Sequence, residues 1–490
     1  MKHESIDIYF SDFFEVSEEK VYLYGAFNVS LVTDLPLFID PFLLFNSRRR
    51  TYKALHNDII RYLRFLKAKS TKTDVSDGLL KSWYYFGEVK QTWLGFCGSG
   101  NSGRGLGKEF ASALNSNLQN IFSDFGRERI TKGSHLEKLC LIKEGVGRDT
   151  ISDFTTNLIK EFLLEYTQTF ALKYLKVGQR RTIAVERVRF NYRTQTWQSR
   201  SYQLPFADGN FVLLTPRDIL TKDDTWINKN DLVRDFTDIP DAIPNEQLRA
   251  QINNYFLSFL PKKAKKKDVD HAVRQVALRF PEIIDYYIKY KELNGGKAVD
   301  RSVAHVQESK ELYVQQFGQL VRLLHEHTQF YALLGFTADE AHQRLLFLKD
   351  VIENKGGYRL FYKKRKPIRS EEDLQICYRL TWFASPSDVS KEVNDGRGPA
   401  DFKISRGSKD KTLVEMKLAS NSQLKRNLKS QAEAYQKASD AATAYKAIVF
   451  FSASEEKRVL KILRQLKLSS DNHIILVDAR MDNKPSGSKA

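Results

Sequence analysis

The stretch Gly396-Arg-Gly-Pro-Ala-Asp401-Phe-Lys-Ile404, followed by Thr412-Leu-Val-Glu415-Met-Lys417-Leu418, decides the reading, because burial and charge collide there. The apolar run Leu413–Leu418 predicts a strand, and strand side chains alternate faces. Val414, Met416 and Leu418 then share one face, and Leu413, Glu415 and Lys417 the other. A carboxylate beside an ammonium on a mostly buried strand is costly to desolvate. Losing one partner of such a pair costs about 3–5 kcal/mol, so it belongs in a salt bridge or a polar site. Ala400–Ile404 predicts a second short strand, and Ser405–Lys411 supplies the turn residues of a hairpin. Antiparallel pairing brings Asp401 across from the Glu415 region. Two carboxylates with an amine beside them suit oxygen ligation of a hard divalent cation such as Mg²⁺ or Mn²⁺. The plain alternative is a solvated edge hairpin whose ion pair is worth about 0–1 kcal/mol.

The residues downstream extend this reading. Leu424, Leu428, Gln431, Ala432 and Tyr435 recur at helical spacing after a polar start that can cap a helix. Gln431 therefore falls on the buried face. Lys425, Arg426 and Lys429 lie off that stripe, where they could meet a phosphate backbone. A strand at Ala447–Phe451, a helix at Glu455–Leu466 and a strand at His473–Asp478 complete an α/β domain.

At these residues the chain resembles the PD-(D/E)xK nuclease superfamily, the restriction-endonuclease-like fold. Asp401 matches its first acid, Glu415-Met416-Lys417 the acid-x-Lys triplet, and Gln431 to Tyr435 the Gln-x-x-x-Tyr of the following helix. The literal Pro-Asp dipeptide is absent, since Pro399-Ala400 precedes Asp401. The resemblance covers residues 365–480. It implies that Asp401, Glu415 and the backbone carbonyl of Met416 hold Mg²⁺ or Mn²⁺, that Lys417 orients or activates the attacking water, and that Gln431 touches metal-site water or phosphate. The family often carries a further glutamate on a helix before the sheet. Glu372 or Glu371, in a segment capped by Ser370, fits that place, and the sequence does not choose between them.

The chain has 490 residues, room for several domains, and a formal charge of +18 that favours a polyanionic partner. Cys97, Cys140 and Cys377 are scattered, odd in number and not at metal spacing, which reads as reduced thiols in a cytosol. The start of the chain is polar and lacks a signal-peptide core. The most apolar stretch, Leu35–Phe45, is too short to span a membrane and carries Asp40, read as a turn or cap residue.

The expected organisation is α/β multidomain: a mixed α/β recognition or regulatory region over 1–245, a helical region over 246–362, the restriction-endonuclease-like domain over 363–480, and a disordered tail over 481–490. In the first region Tyr22–Tyr24 and Ala26–Val32 read as strands, 51–69 as a helix, and 148–175 as one long amphipathic helix. Residues 181–214 predict a β-meander with interleaved arginine and aromatic side chains, an array that can stack on nucleic acid, although routine cross-strand pairing explains it more simply. The glycine-rich segment Gly98–Gly107 contains a literal Gly-x-Gly-x-x-Gly but lacks a clear acid at the end of a following strand, and it fails the Walker pattern because Glu109 follows Lys108. Helices are expected over 246–260, 269–293, 302–330 and 338–354. The basic runs 262–267 and 362–369 read as a turn and as a linker whose charges can guide a nucleic acid.

The function expected is a metal-dependent DNA endonuclease in the cytoplasm, with RNA a second substrate class. By family analogy it serves bacterial restriction or antiphage defence. The rivals are a catalytically inactive nucleic-acid-binding protein and a subunit activated by a partner from the same operon. The sequence does not fix the oligomer, although cutting both strands of a duplex commonly takes two active sites, as a homodimer would supply.

Overall fold

The computed structural model describes residues 8–70, 76–95, 128–142, 146–207, 209–240, 243–261, 265–328, 336–363, 365–382, 387–394, 399–406, 410–429 and 443–484, with isolated positions between 106 and 118. The architecture is mixed α/β, with several separate sheets among many helices. A continuous apolar core runs from Ile8 to Ala479, so the N-terminal, middle and C-terminal stretches share buried surface.

In the N-terminal region, helix α1 (Arg50–Lys69) buries Ile59, Tyr62, Leu63 and Leu66 on one face. Helices α2 (Arg148–Leu158) and α3 (Lys160–Tyr174) replace the single helix expected over 148–175. The break is Ile159, whose backbone (φ −99°, ψ 12°) leaves the helical region and turns the chain. Strands β1 (Arg180–Asn191) and β2 (Thr196–Ala207) form the expected antiparallel hairpin, joined by the short strand Asn210–Phe211. The strand expected at Tyr22–Tyr24 is instead a helix, Glu18–Tyr24. Ser17 caps it by accepting from the Lys20 N–H, two glutamates occupy its first turn, and Gly25 at φ 94° ends it. These local signals outweigh the β-propensity of Val21-Tyr-Leu-Tyr24. Asp40 is the cap its sequence suggested: its carboxylate accepts from the Phe42 N–H at 3.0 Å and the Trp226 N–H at 2.6 Å.

The middle of the chain is helical, as Glu246–Ser258, Lys266–Arg279, Glu282–Leu293, Gly295–Ser309 and Phe317–His327. The helix expected over 269–293 is divided at Phe280-Pro281, since proline cannot continue the hydrogen-bond ladder. The one expected over 302–330 contains a π-helical turn at Lys310–Gln316.

Helix α4 (Thr337–Asn354) lies in the stretch assigned by sequence to the helical region, yet it packs on the C-terminal sheet. Lys349 donates to the Leu476 carbonyl, Glu353 accepts the Asp478 N–H, and the His342 ring stacks on Tyr445 at 5.1 Å. The layer therefore starts near Thr337 rather than at 363. After it come α5 (Glu371–Thr381), then β3 (Asp388–Asn394), β4 (Pro399–Arg406) and β5 (Asp410–Leu418), a helical turn over 424–429, β6 (Ala444–Phe450), α6 (Ala453–Gln465) and β7 (Ile474–Asp478). The sheet order is β7-β6-β5-β4-β3, with β3, β4 and β5 antiparallel and β5, β6 and β7 parallel.

Val414, Met416 and Leu418 join the main core on the sheet face where α4 and α5 pack. The opposite face carries a second core, in which Ile448 and Phe450 meet Leu424, Leu428, Val459 and Ile462. Period-two alternation thus sends the apolar half of β5 into one core and its charges to the other side. Residues 481–484, expected to be disordered, fold back so that Asn483 donates to Asp478 at 2.7 Å.

Asp153 in α2 supplies a pH prediction. Burial, with Glu88 and Asp149 nearby, pushes its carboxyl up to about 7. The unfolded chain ionises this group near 3.8. The folded state holds the proton more tightly, so this group's cost grows as pH rises from about 4 to 7 and is full above that. Asp153→Asn is expected to stabilise the protein by on the order of 2–4 kcal/mol at pH 8 and by nothing at pH 4, read as urea midpoints at the two pH values.

Candidate active site

Lys417 is the centre of the candidate site. Its Nζ lies 3.4 Å from both carboxylate oxygens of Asp401 and 3.8 Å from Glu371 Oε2, with its side chain 12 % exposed. Burial alone would push this ammonium down, but Asp401, Glu415 and Glu371 outweigh it and hold it above its ordinary value. For Asp401 burial dominates and raises the carboxyl, against Lys417 and the Met416 N–H.

The hairpin accounts for the convergence. Its register pairs Val414 with Phe402, so Asp401 and Glu415 are the next residues along the two strands. Asp401 Oδ2 accepts the Met416 N–H at 2.7 Å, so the carboxylate takes a donor of β5. Glu415 is 2 % exposed, on the same side of β5 as Lys417.

The third carboxylate is Glu371. Ser370 caps α5, which brings three acids into its first turn. Successive helical residues point about 100° apart, so the three diverge. Glu371 Oε1 accepts the Leu418 N–H at 3.1 Å and Asn421 Nδ2 at 2.8 Å, beside Lys417. Glu372 instead faces Arg148, at 3.9 Å. Asp373 accepts from the Tyr313 hydroxyl at 2.5 Å and lies 3.4 Å from Lys222 Nζ. The sequence left Glu372, the possible additional acid, and Glu371 both open, and of the two it is Glu371 that lies beside Lys417.

Lys446 was missed. It stands opposite Glu415 in the parallel β5/β6 register and is 7 % exposed. Burial holds its ammonium below the ordinary value, against the pull of Glu415 and Asp471. The available signal was a lysine interrupting the apolar strand Ala444-Tyr-Lys-Ala-Ile-Val-Phe450. Asn421 was missed as well. Arg458 steadies its turn by donating to the carbonyls of Ala419 and Asn421 at 2.9 and 2.8 Å.

Lys425, Arg426 and Lys429 are exposed on the turn over 424–429, whose Leu424 and Leu428 are buried, as the stripe required. Gln431 and Tyr435 lie outside the described residues, as do Cys97 and most of the glycine-rich segment. The linker over 362–369 forms a tight hairpin, Tyr362–Lys363 against Lys366–Pro367. Lys363, Lys366 and Arg369 border a cavity of about 390 Å³ that reaches Ser370 and Asp373 at the start of α5.

Whether this donor set suits a divalent cation can be read from what it already holds. Three hard oxygen acids surround one buried ammonium, which marks the point where the protein places positive charge. That matches Mg²⁺ or Mn²⁺ in charge and ligand type. Among the described residues no three His, Cys, Asp or Glu side chains form a ready-made metal cage.

Two families of known proteins match this chain, both described only as a domain of unknown function: DUF8370 over residues 15–228 and DUF8371 over residues 337–453. The second match opens at Thr337, the first residue of α4, and runs through the candidate site. No curated protein and no solved structure matches. No helix among the described residues is long and apolar enough to cross a membrane.

Proposed function

We propose that the layer from α4 to β7 is a metal-dependent phosphodiesterase of the PD-(D/E)xK type, restriction-endonuclease-like in fold, that cuts DNA in the cytoplasm. The observation that carries the reading is the Lys417 ammonium held among Asp401, Glu371 and Glu415 at the end of a hairpin. Asp401 and Glu415, with the Met416 carbonyl, are the residues that would hold Mg²⁺ or Mn²⁺, and Glu371 is the fourth candidate. When bound, the ion supplies Lewis acidity toward the scissile phosphate and a more acidic water.

The chain's own groups supply the rest. Lys417 holds positive charge where the attacking water and the pentacovalent phosphate must sit, and so orients the water and offsets developing negative charge. Met416 and the Leu418 amide, through Asp401 and Glu371, fix the two carboxylates rather than leaving them free to rotate. Lys446 balances Glu415 from the next strand. Lys425, Arg426 and Lys429 on one side, and Lys363, Lys366 and Arg369 on the other, offer phosphate contacts in a chain whose net charge is +18. A restriction or antiphage role follows only by analogy with nucleases of this type.

The test is incubation of the full chain with plasmid, linear duplex, single-stranded DNA and RNA, in Mg²⁺, Mn²⁺ and EDTA. Cleavage of DNA that requires the divalent ion supports the reading. Binding without cleavage under every condition overturns it in favour of a nucleic-acid-binding protein. Cleavage that starts only when a protein encoded beside it is added keeps the site and assigns it a partner.

A further inference from the structure

The N-terminal region carries a second polar groove, between α1 and the β1–β2 hairpin, with a volume of about 450 Å³. That size falls within the range of small-ligand sites. Tyr62, Phe190, Tyr192 and Trp197 form its aromatic wall, and Arg61, Arg189 and Arg193 its rim.

A bulge makes the groove. The β1–β2 register shifts between Val185 and Arg189, and Arg187 sits at φ 52°, in the left-handed region. A bulge bends its strand and re-aims side chains. Here the Arg187 guanidinium turns inward, donating to the carbonyls of Ser82 and Tyr85 at 3.0 Å and lying 5.2 Å from the Trp197 ring centroid. It serves as a strut that ties the hairpin to the end of the helix Asp77–Tyr84. The Arg61 guanidinium lies 4.0 Å over the Tyr192 ring and extends that flat surface toward solvent.

Charge decides what the groove accepts. Residues 48–69 hold eight Lys and Arg against Asp58, and residues 180–200 hold six Arg against Glu186. Two carboxylates, Asp58 and Glu161, also line the groove. Glu161 is occupied by Arg200 at 2.6 Å and Arg189 at 3.8 Å. Among the described residues neither Arg61 nor Arg193 has a carboxylate partner. Planar stacking surface beside surplus guanidinium is the combination that binds unpaired bases and their phosphates, whereas a duplex keeps its base faces covered.

We infer that this groove binds single-stranded nucleic acid, seating an unpaired base against Tyr192 and Arg61 while Arg193 contacts a flanking phosphate. The inference is independent of the phosphodiesterase reading. It is tested with the full chain in EDTA, by fluorescence anisotropy of a labelled oligothymidylate and of a duplex of equal length. Arg61→Gln/Arg193→Gln is expected to weaken oligothymidylate binding at least about tenfold while changing duplex binding little. Arg61→Lys, which keeps the charge and loses the plane, is expected to weaken it as well. Ultraviolet crosslinking of oligothymidylate is expected to label the peptide carrying Tyr192. Unchanged affinity in the double variant, an equal loss on the duplex, or crosslinks confined to residues 363–429 would each overturn the inference. A urea midpoint equal to wild type shows that the variant is folded.

Discussion

Asp401→Asn is expected to lower metal-dependent cleavage by about 10³-fold, and Lys417→Met by about 10²–10⁴-fold, with metal binding moving in opposite directions in the two variants. Asp401 is the principal partner of the Lys417 ammonium and a proposed ligand. Replacing its charge by an amide leaves an acceptor for the Met416 N–H and keeps the hairpin, while weakening the hold on any cation. Lys417 is a competing cation among the same acids. Removing it is expected to cost the chemistry while taking a competing positive charge away from Asp401, Glu371 and Glu415, so that Mn²⁺ binds more tightly. A folded protein that binds a ligand at a hundred times its Kd gains about 2.7 kcal/mol, so thermal shift reads the difference. The Mn²⁺-induced shift should shrink in Asp401→Asn and grow in Lys417→Met. Equal shifts in both variants, or residual cleavage equal to wild type, would remove these residues from the site.

Glu340→Ala is expected to cost about 3–5 kcal/mol of folding stability, the penalty for leaving a buried charge without its partner. Arg344 on α4 is fully buried and pairs with Glu340 at 2.9 Å, its guanidinium lying 4.5 Å from the Trp382 ring centroid. The other Glu340 oxygen accepts from Arg406 on β4 and from Ser387, both at 2.7 Å. One carboxylate therefore ties α4 to the edge of the sheet that carries Asp401. The double variant Glu340→Leu/Arg344→Met should recover much of the loss, because apolar replacement of both partners removes the orphaned charge. Urea denaturation measures both variants. A single-variant loss below about 1 kcal/mol would show the pair to be no stronger than a surface bridge.

Much of the C-terminal layer was legible because its signals are local. Alternation in Leu413–Leu418 separated an apolar face from a charged one, and the turn-forming segment between two short strands specified an antiparallel hairpin. Ser370 announced α5. Where neighbours decided, the sequence was silent. The acids 371 to 373 look interchangeable in order, and only the direction of α5 over the sheet brings Glu371 to Lys417. Lys446 is thirty-one residues from Glu415 and meets it through a parallel pairing that no spacing rule reveals. Helix α4 has the apolar stripe of any amphipathic helix, which says that it packs without saying on what.

By itself, then, the sequence determined that Asp401, Glu415 and Lys417 lie on adjoining strands of a hairpin, and that the chain carries excess positive charge. Periodicity, turn chemistry and composition are properties of contiguous residues. Only the tertiary structure decided which glutamate completes the cluster, which lysine balances it, and that a bulged hairpin forms a groove against α1. Those outcomes depend on strand register, helix direction and burial, which arise when segments far apart in the chain come to share one core.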